Sequence, residues 1–451
     1  MRASVARRLP GTYLSSLIGC QPEELRAALW GAAYFFCLLA GWYILRPLRD
    51  EMGIRGGVDE LHWLFTGTFV AMLAAVPAFG WLSSRFPRRR LVPAVYVFFI
   101  TNLLGFLVLF RITDGGPGPA QAFFIWTSVY NLFIISVFWS FLADLFSREQ
   151  AGRLFGFVAA GGSAGAIAGP ALATTLAGIV EPDNLLIIAA AFLALALVCV
   201  QRLLAWRAAA PGEADSARMT RPMGGGIFEA VPLILRSRYL LGLCLLMLLT
   251  TAVSTFLYLQ QARIVADAFT DSAARTRVFA GIDLAVNILA VLTQLFLTGR
   301  IVQRLGIAAA LGLTPVVMLL GFATLGVAPV LAVLVVVQVL HRGMHYAVLR
   351  PAREMLFTVL TPQEKYKAKN FIDTVVYRGG DAANAWLYAG LASLGLGPGG
   401  TALIALPIAA AWLATAVGLG RAQTRIAQRE PEPEPAPAAE TPRSGTSARS
   451  H

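Results

Sequence analysis

The sequence predicts an all-α polytopic membrane protein with about twelve transmembrane helices in two six-helix halves. Composition, recurring apolar runs and the placement of basic residues predict this class. Of 451 residues, 57% are hydrophobic and 14% are charged, and the mean hydropathy is +0.66, too apolar for an ordinary soluble domain. The net charge of +12 does not indicate nucleic-acid binding, because the basic residues alternate with apolar runs.

Twelve apolar runs approach the twenty residues that cross about 30 Å of hydrocarbon. The predicted spans are 27–46, 61–84, 91–110, 121–143, 154–178, 184–206, 239–261, 278–299, 307–327, 330–349, 371–393 and 401–420. We therefore predict a cytoplasmic N-terminal segment (1–26), a six-helix half (27–206), a cytoplasmic connector (207–238), a second half (239–421) and a disordered cytoplasmic tail (422–451).

The distribution of basic residues predicts the orientation. With the N terminus inside, inner segments carry 28 Lys and Arg residues and outer segments 7, and the other two of the 37, Arg342 and Arg378, lie within spans. This bias predicts cytoplasmic termini, and we expect a bacterial inner membrane. A glycine followed five positions later by an arginine, beginning at Gly80 and again at Gly299, marks the inner end of the second helix of each half. This plan resembles the major facilitator superfamily.

No residue pattern predicts catalysis or metal binding. The four cysteines lie far apart and form no Cys-x-x-Cys pair. His341 and His345 are four positions apart, a spacing typical of metal ligands, but no nearby Glu or Cys completes a site. We find no nucleophile with its base and no phosphate loop. We therefore expect no cofactor, no metal and no enzymatic activity.

Two arginines follow the apolar part of the first span. Arg46 and Arg49 lie against the positive-inside bias. One interpretation is that they reach the outer interface and pair with Asp50 or Glu51. The other, equally supported, is that they bind an anionic substrate.

Glycines recur along the fifth span. They are Gly152, Gly156, Gly161, Gly165 and Gly169. This spacing favours close helix packing. The portion ending in Pro170 also resembles the fifth-helix motif of facilitator antiporters.

Polar residues share one face in two further spans. Asp283, Asn287 and Gln294 fall on one line of the eighth helix, which favours cavity lining over simple interhelical hydrogen bonding. The polar face of the tenth helix comprises Gln338, His341, Arg342, His345, Tyr346 and Arg353. We expect Arg342 to contact an anion, and Arg350, Arg353 and Glu354 to form a network at the inner gate.

Residues 361–388 contain all three lysines and a charged helix face. Lys365, Lys367 and Lys369 lie in a predicted basic loop before the eleventh span. The helical period then places seven polar residues on one face: Asn370, Asp373, Tyr377, Arg378, Asp381, Asn384 and Tyr388. Charged groups at membrane depth are costly and usually face a bundle interior or a wet cavity. This face therefore predicts one wall of a transport pathway.

Three motifs resemble the ATP:ADP antiporter family, the nucleotide exchangers of plastids and intracellular bacteria. They are Ile44-Leu45-Arg46-x2-Arg49-Asp50, Phe138-Trp139-x-Phe141-Leu142-Ala143-Asp144 and Tyr366-Lys367-x-Lys369-x2-Ile372-Asp373. The resemblance implies that Arg49 replaces a substrate-contacting lysine and that Asp373 matches an acidic position. The chain departs from the family where the fourth helix lacks a carboxylate before Asp144 and where Asp381 stands in place of a lysine. Reversing a charge in an anion site should change what binds.

We therefore expect an alternating-access transporter of an anionic small molecule, most specifically a nucleotide exchanger. Its partners would be that nucleotide or organic phosphate and the lipid bilayer. The alternatives are an exporter or proton-coupled transporter of another organic solute, and a transport-inactive scaffold or sensor. The predicted substrate-binding residues are Arg46, Arg49, Asp283, Asn287, Arg342, His345, Asp373, Arg378 and Asp381.

Overall fold

Twelve long helices form the part of the chain that the structure, a computed structural model, describes: residue 21 and residues 24–209 and 231–428. The first six are α1 (Leu25–Arg55), α2 (Leu61–Arg85), α3 (Arg88–Ile112), α4 (Pro117–Leu145), α5 (Arg148–Leu176) and α6 (Leu185–Ala209). The others are α7 (Arg238–Ala268), α8 (Ser272–Phe296), α9 (Thr298–Val327), α10 (Leu331–Leu356), α11 (362–393) and α12 (Pro398–Ala427). The described residues contain no strand, and a short helix, Val231–Arg236, precedes α7.

Eleven of these helices are long and apolar enough to cross a membrane. The exception is α11, which carries the polar face and whose longest regular segment is Tyr377–Ser393. The predicted class of an all-α polytopic membrane protein is therefore confirmed. Most of the predicted N-terminal segment, connector and tail lie outside the described residues.

Two predicted helix ends are wrong. The first helix does not end at residue 46 but continues through Pro47 to Arg55, because proline removes one backbone hydrogen bond that neighbouring helices can compensate. The predicted basic loop before residue 371 is helical from Pro362, where Thr361 and Glu364 form a capping box. Arg46 and Arg49 consequently lie inside α1 and not at its end.

Two hydrophobic clusters divide the bundle. One consists of buried residues from α1 and α3–α6, and the other of residues from α7–α12 with a few from the outer ends of α1, α2 and α4. Between the two sets of helices, α2 packs against α11, while both α1 and α5 pack against α8. The candidate site lies between these sets, which we call the N-half and the C-half.

Glycines allow α5 to approach α1 closely. A Cβ atom on Gly161, Gly165 or Gly169 would lie 2.3, 2.4 or 2.5 Å from the carbonyl oxygen of Ala32, Phe36 or Ala40, respectively. The structure thus confirms the predicted packing role of these three glycines. Gly152 and Gly156 have no atom of another element within 4 Å of that position, so they take no part in this contact.

Two C-half helices contain a π-turn. His345–Leu349 interrupts α10 and Ile372–Val376 interrupts α11. A π-turn closes its hydrogen bonds over five residues instead of four, and it often occurs at functional sites. Side chains before and after the turn therefore do not follow the uniform helical period.

Candidate functional site

A central cavity of about 280 Å³ lies between the halves. Four arginines line it, Arg46 and Arg49 from α1, Arg342 from α10 and Arg378 from α11. Asp381 is the carboxylate in this lining. The cavity wall therefore carries more positive than negative side chains, and both halves contribute to it.

The rest of the central cavity is aromatic and polar. Its lining includes the rings of Trp42, Tyr43, Phe65, Tyr258, Tyr346 and Tyr377. Its polar members are Ser128, Asn131, Ser254, Thr255, Gln338, His341 and His345. The sequence analysis missed most of these rings and the residues from α4 and α7, because such side chains in an apolar span look like ordinary core.

Asp283 lies behind the cavity wall, where only 1% of its side chain is exposed. Its Oδ1 atom is 2.9 Å from Nη1 of Arg46 and 2.7 Å from Nη2 of Arg342. Asn287 is also buried, and its side chain donates to the backbone carbonyl of Asp283 at 2.9 Å. Neither residue belongs to the cavity lining. The structure therefore places the predicted polar line of α8 behind the arginines.

Arg49 is held within its own half. Its guanidinium carbon lies 3.9 Å from the ring centre of Phe124, and Nη1 is 3.3 Å from Oδ1 of Asp50. The same Asp50 oxygen accepts a 2.9 Å hydrogen bond from the Tyr258 hydroxyl of the C-half. The Nε atoms of Arg49 and Arg342 are buried without a hydrogen-bond partner in the protein. Both arginines thus keep a spare donor beside the cavity.

Asp381 and Arg378 form a looser pair on α11. The closest distance between them is 3.7 Å, from Nη1 of Arg378 to Oδ2 of Asp381. Thr255 of α7 donates to Oδ1 of Asp381 at 3.3 Å. The Arg378 guanidinium also lies 5.3 Å from the ring centre of Tyr377. This pair sits directly in the wall of the cavity.

An inner cavity of about 400 Å³ adjoins the central one. Its charged lining consists of Arg350, Arg353, Arg378 and Asp373. The two cavities share five residues, namely Asn131, His345, Tyr346, Tyr377 and Arg378. The predicted charged face of α11 is therefore divided, with Asp373 at the inner cavity and Asp381 at the central one. The π-turn between them explains the division.

The predicted inner network is present on α10 and α11. Nη1 of Arg353 is 3.1 Å from Oδ1 of Asp373, and its Nη2 is 3.3 Å from Oε1 of Glu354. Lys369 also pairs with Glu354. These bonds join two helices of the same half, so they fix the wall of the inner cavity.

A comparison with known protein families decides the class. Residues 31–380 match the model of the Major Facilitator Superfamily. The chain belongs to this superfamily. It is therefore a multi-pass membrane transporter, as the resemblance of its helix plan implied.

Individual relatives of this superfamily member are distant. It is 21% identical over 466 residues to ADP,ATP carrier protein 2 of Chlamydia pneumoniae, covering 84% of this chain and 85% of the relative. The solved structure of the nucleoside transporter NupG matches with a TM-score of 0.61 at 14% identity, covering 91% of this chain and 100% of NupG. A bacterial homologue of the iron transporter ferroportin, in an inward-facing state, matches with a TM-score of 0.61 at 12% identity, covering 88% and 98%. These structural matches show the fold.

Polar contacts join the halves of this facilitator at the end that the charge bias predicts to be outer. Nε of Arg275 lies 2.8 Å from Oε2 of the fully buried Glu51, and Arg55 donates to Ser272 at 3.0 Å. Nη2 of Arg263 lies 2.6 Å from Oδ1 of Asp59. Sequence reasoning could not find these pairs, because their members lie more than 200 positions apart. They close the outer end, and both cavities lie on the inner side of them.

Proposed function

We propose that this superfamily member carries an anionic small molecule across the membrane by alternating access, and specifically that it exchanges nucleotides of the ATP and ADP type. The observation that carries the proposal is the cluster of Arg46, Arg49, Arg342 and Arg378 around one cavity. Arginine binds phosphate through paired, charge-assisted hydrogen bonds, and it keeps its charge in a buried site. In this proposal all four arginines contact phosphate oxygens.

The unused donors of the arginines support an anionic ligand. Nε of Arg49 and Nε of Arg342 are buried without a protein acceptor. A buried donor that stays unpaired costs about 1–3 kcal/mol. Phosphate supplies several acceptor oxygens and so satisfies donors that the protein does not.

The aromatic lining supports a nucleotide over inorganic phosphate. Trp42 stacks on Tyr130 with 6.4 Å between ring centres and also lines the cavity, together with Tyr258 and Tyr346. Stacking of a base on an aromatic side chain contributes about 1–3 kcal/mol. The similarity to an ADP,ATP carrier and the three family motifs support the same substrate class. Asp381 offsets one positive charge, which favours a less highly charged nucleotide than an all-cationic wall would.

The remaining predicted residues have supporting roles in this proposal. Asp381 balances Arg378, and Asp373 balances Arg353 at the inner cavity. His345 lines both cavities, while Asn287 supports the helix turn that presents Asp283. With the outer contacts made and the cavities on the inner side, this conformation would present the site to the cytoplasm. The proposed location is a bacterial inner membrane with both termini cytoplasmic.

Uptake into proteoliposomes tests the proposal. Purified protein would be reconstituted into vesicles preloaded with ADP, phosphate or buffer, and labelled ATP, ADP or phosphate would be supplied outside. We expect the fastest nucleotide uptake in ADP-loaded vesicles, because the returning site is then occupied. Empty vesicles without protein give the background. The absence of nucleotide uptake under every preload, with protein shown to be folded, would contradict the proposal.

The same vesicles separate exchange from net transport. Uptake into buffer-loaded vesicles that depends on a pH gradient would indicate a proton-coupled transporter instead. Uptake of an uncharged organic solute without nucleotide uptake would indicate a different facilitator substrate.

A further inference from the structure

One carboxylate connects the two halves through the cavity wall. Oδ1 of Asp283 receives Arg46 of α1 at 2.9 Å and Arg342 of α10 at 2.7 Å. The carboxylate is 1% exposed, and the two arginines are 17% and 10% exposed. Asp283 thus faces two cations at once, and one of them belongs to the opposite half.

The Arg46–Asp283 pair differs from the other ion pairs between halves in the described part of the chain. Arg263–Asp59 and Arg275–Glu51 also join the halves, but neither arginine lines a cavity. Arg46 does line the central cavity. A ligand in that cavity can therefore reach the nitrogen atoms that hold the halves together at this position.

The energetics allow Arg46 to leave Asp283. Removing the only partner of a buried charge is strongly destabilising, typically by 3–5 kcal/mol. Asp283 has a second partner, Arg342, which lies in the same half and remains beside it when the halves separate. An anion that takes over Arg46 therefore does not leave Asp283 without a cation. An empty cavity offers Arg46 no such replacement.

We propose that Asp283 is an internal counter-anion that competes with the substrate for Arg46, and that this ion pair makes exchange obligatory. In the empty protein, Arg46 bound to Asp283 holds α1 against α8 and keeps the outer end closed. A substrate anion binds Arg46, weakens the link between halves and permits the outer end to open. This mechanism rests on the proposed function for the identity of the substrate, but the link itself does not.

Replacing the carboxylate with an amide tests the link. In Asp283→Asn, the ratio of labelled ADP uptake into buffer-loaded vesicles to uptake into ADP-loaded vesicles should rise about tenfold, because the empty protein can reorient. Glu354→Gln is the matched control, since it also removes a carboxylate held by two cations, but within one half. It should leave the ratio unchanged. An unchanged ratio in Asp283→Asn with exchange retained would overturn the proposal.

A distance measurement makes the test independent of the substrate. Ile179 follows α5 and Leu394 follows α11, and both are nearly 80% exposed at the outer end, at 78% and 79%. Spin labels on cysteines at these positions, in a protein whose four native cysteines are replaced, report the separation of the halves by electron–electron double resonance. Without substrate, Asp283→Asn should shift the population toward longer distances, and Glu354→Gln should not.

Arg46→Gln provides a second variant that breaks the same ion pair from the other side. It should give the same shift toward longer distances, even if Asp283→Asn does not fold. ADP added to the labelled wild-type protein should also give that shift. If ADP has no effect but both variants open the outer end, the nucleotide proposal fails and the link stands. If both folded variants match the wild type, the link is refuted whatever the substrate.

Discussion

The two halves bury different kinds of side chain. The N-half buries aromatic rings, such as Phe99, whose ring centre lies 5.1 Å from Tyr130 and 5.8 Å from Trp126. The C-half buries charge, including Asp283 and Arg342, and contains both π-turns. Aromatic packing and close glycine contacts make the N-half a rigid support for Arg46 and Arg49. The difference teaches that the groups whose partners change during transport lie mainly in the C-half.

The largest effect should follow from removing a buried arginine of the C-half. Arg342→Ala leaves Asp283 with one cation and removes a proposed phosphate contact. Truncating one member of a buried charge pair costs about 2–5 kcal/mol, so the initial rate of ADP-for-ATP exchange should fall about 100-fold or more. Arg153→Ala is the control in the N-half, where Arg153 pairs with Glu24 away from both cavities. A near-normal exchange rate in folded Arg342→Ala would break the comparison.

The rigidity of the N-half should depend on the glycines of α5. In Gly165→Val, the new Cβ would lie 2.4 Å from the Phe36 carbonyl oxygen, and α1 would have to move. Overpacking of this kind typically costs about 1–3 kcal/mol, which thermal unfolding in detergent would measure. Gly156→Val adds the same side chain where there is open space, so its midpoint should stay close to that of the wild type. Equal midpoints in the two variants would argue against a rigid N-half.

An aromatic change in the cavity should alter selectivity more than overall activity. Trp42→Ala should lower nucleotide uptake about tenfold, because a stacking surface is lost, while phosphate uptake stays nearly constant. Trp81→Ala, at a position that is 56% exposed outside both cavities, serves as the control. Parallel losses of nucleotide and phosphate uptake in Trp42→Ala would show that the ring supports the fold and not the base.

The smallest effect concerns Glu24, which lies just before α1. Burial raises the pKa of this carboxyl, but hydrogen bonds from the Gln21 backbone, Gln150 and Arg153 outweigh that effect and hold the pKa below its usual value. The ionised form therefore stabilises the fold above the usual carboxyl pKa, and this stability is lost as pH falls through the lowered value. Glu24→Gln should cost about 1 kcal/mol or less at neutral pH.

Thermal unfolding at two pH values checks this last prediction. The difference in midpoint between wild type and Glu24→Gln should be present at pH 7 and should shrink in acid. A difference that is independent of pH would mean that the charge of Glu24 contributes nothing.

The helix plan could be predicted because each span has to cover the same thickness of hydrocarbon. The ends were harder, since Pro47 and the lysines of 361–370 resemble helix breakers or loops when read locally. In the bundle, a polar helix face can pack against polar neighbours, and α1 and α11 consequently extend further. Sequence patterns predict such extensions poorly, because the stabilising partners lie on other helices.

Residue types at the site were predictable, but their partners were not. An arginine within a span indicates a buried partner or a cavity, and Arg342 and Arg378 both line one. The contact between Arg46 and Asp283 joins positions 237 apart, and no local pattern encodes it. The helical period also grouped Asp373 with Asp381, and only the π-turn between them separates the two. Regular geometry was the assumption that failed.

The π-turns of α10 and α11 give these two helices a small reserve of length. Each turn holds one more residue than an α-helical turn, so moving it along the helix rotates and advances the side chains that it passes. His345 and Tyr346 begin the turn in α10, and Tyr377 directly follows the one in α11, so all three lie where such rotation would be felt. The wall shared by the two cavities can thus be remodelled without displacing either end of these helices.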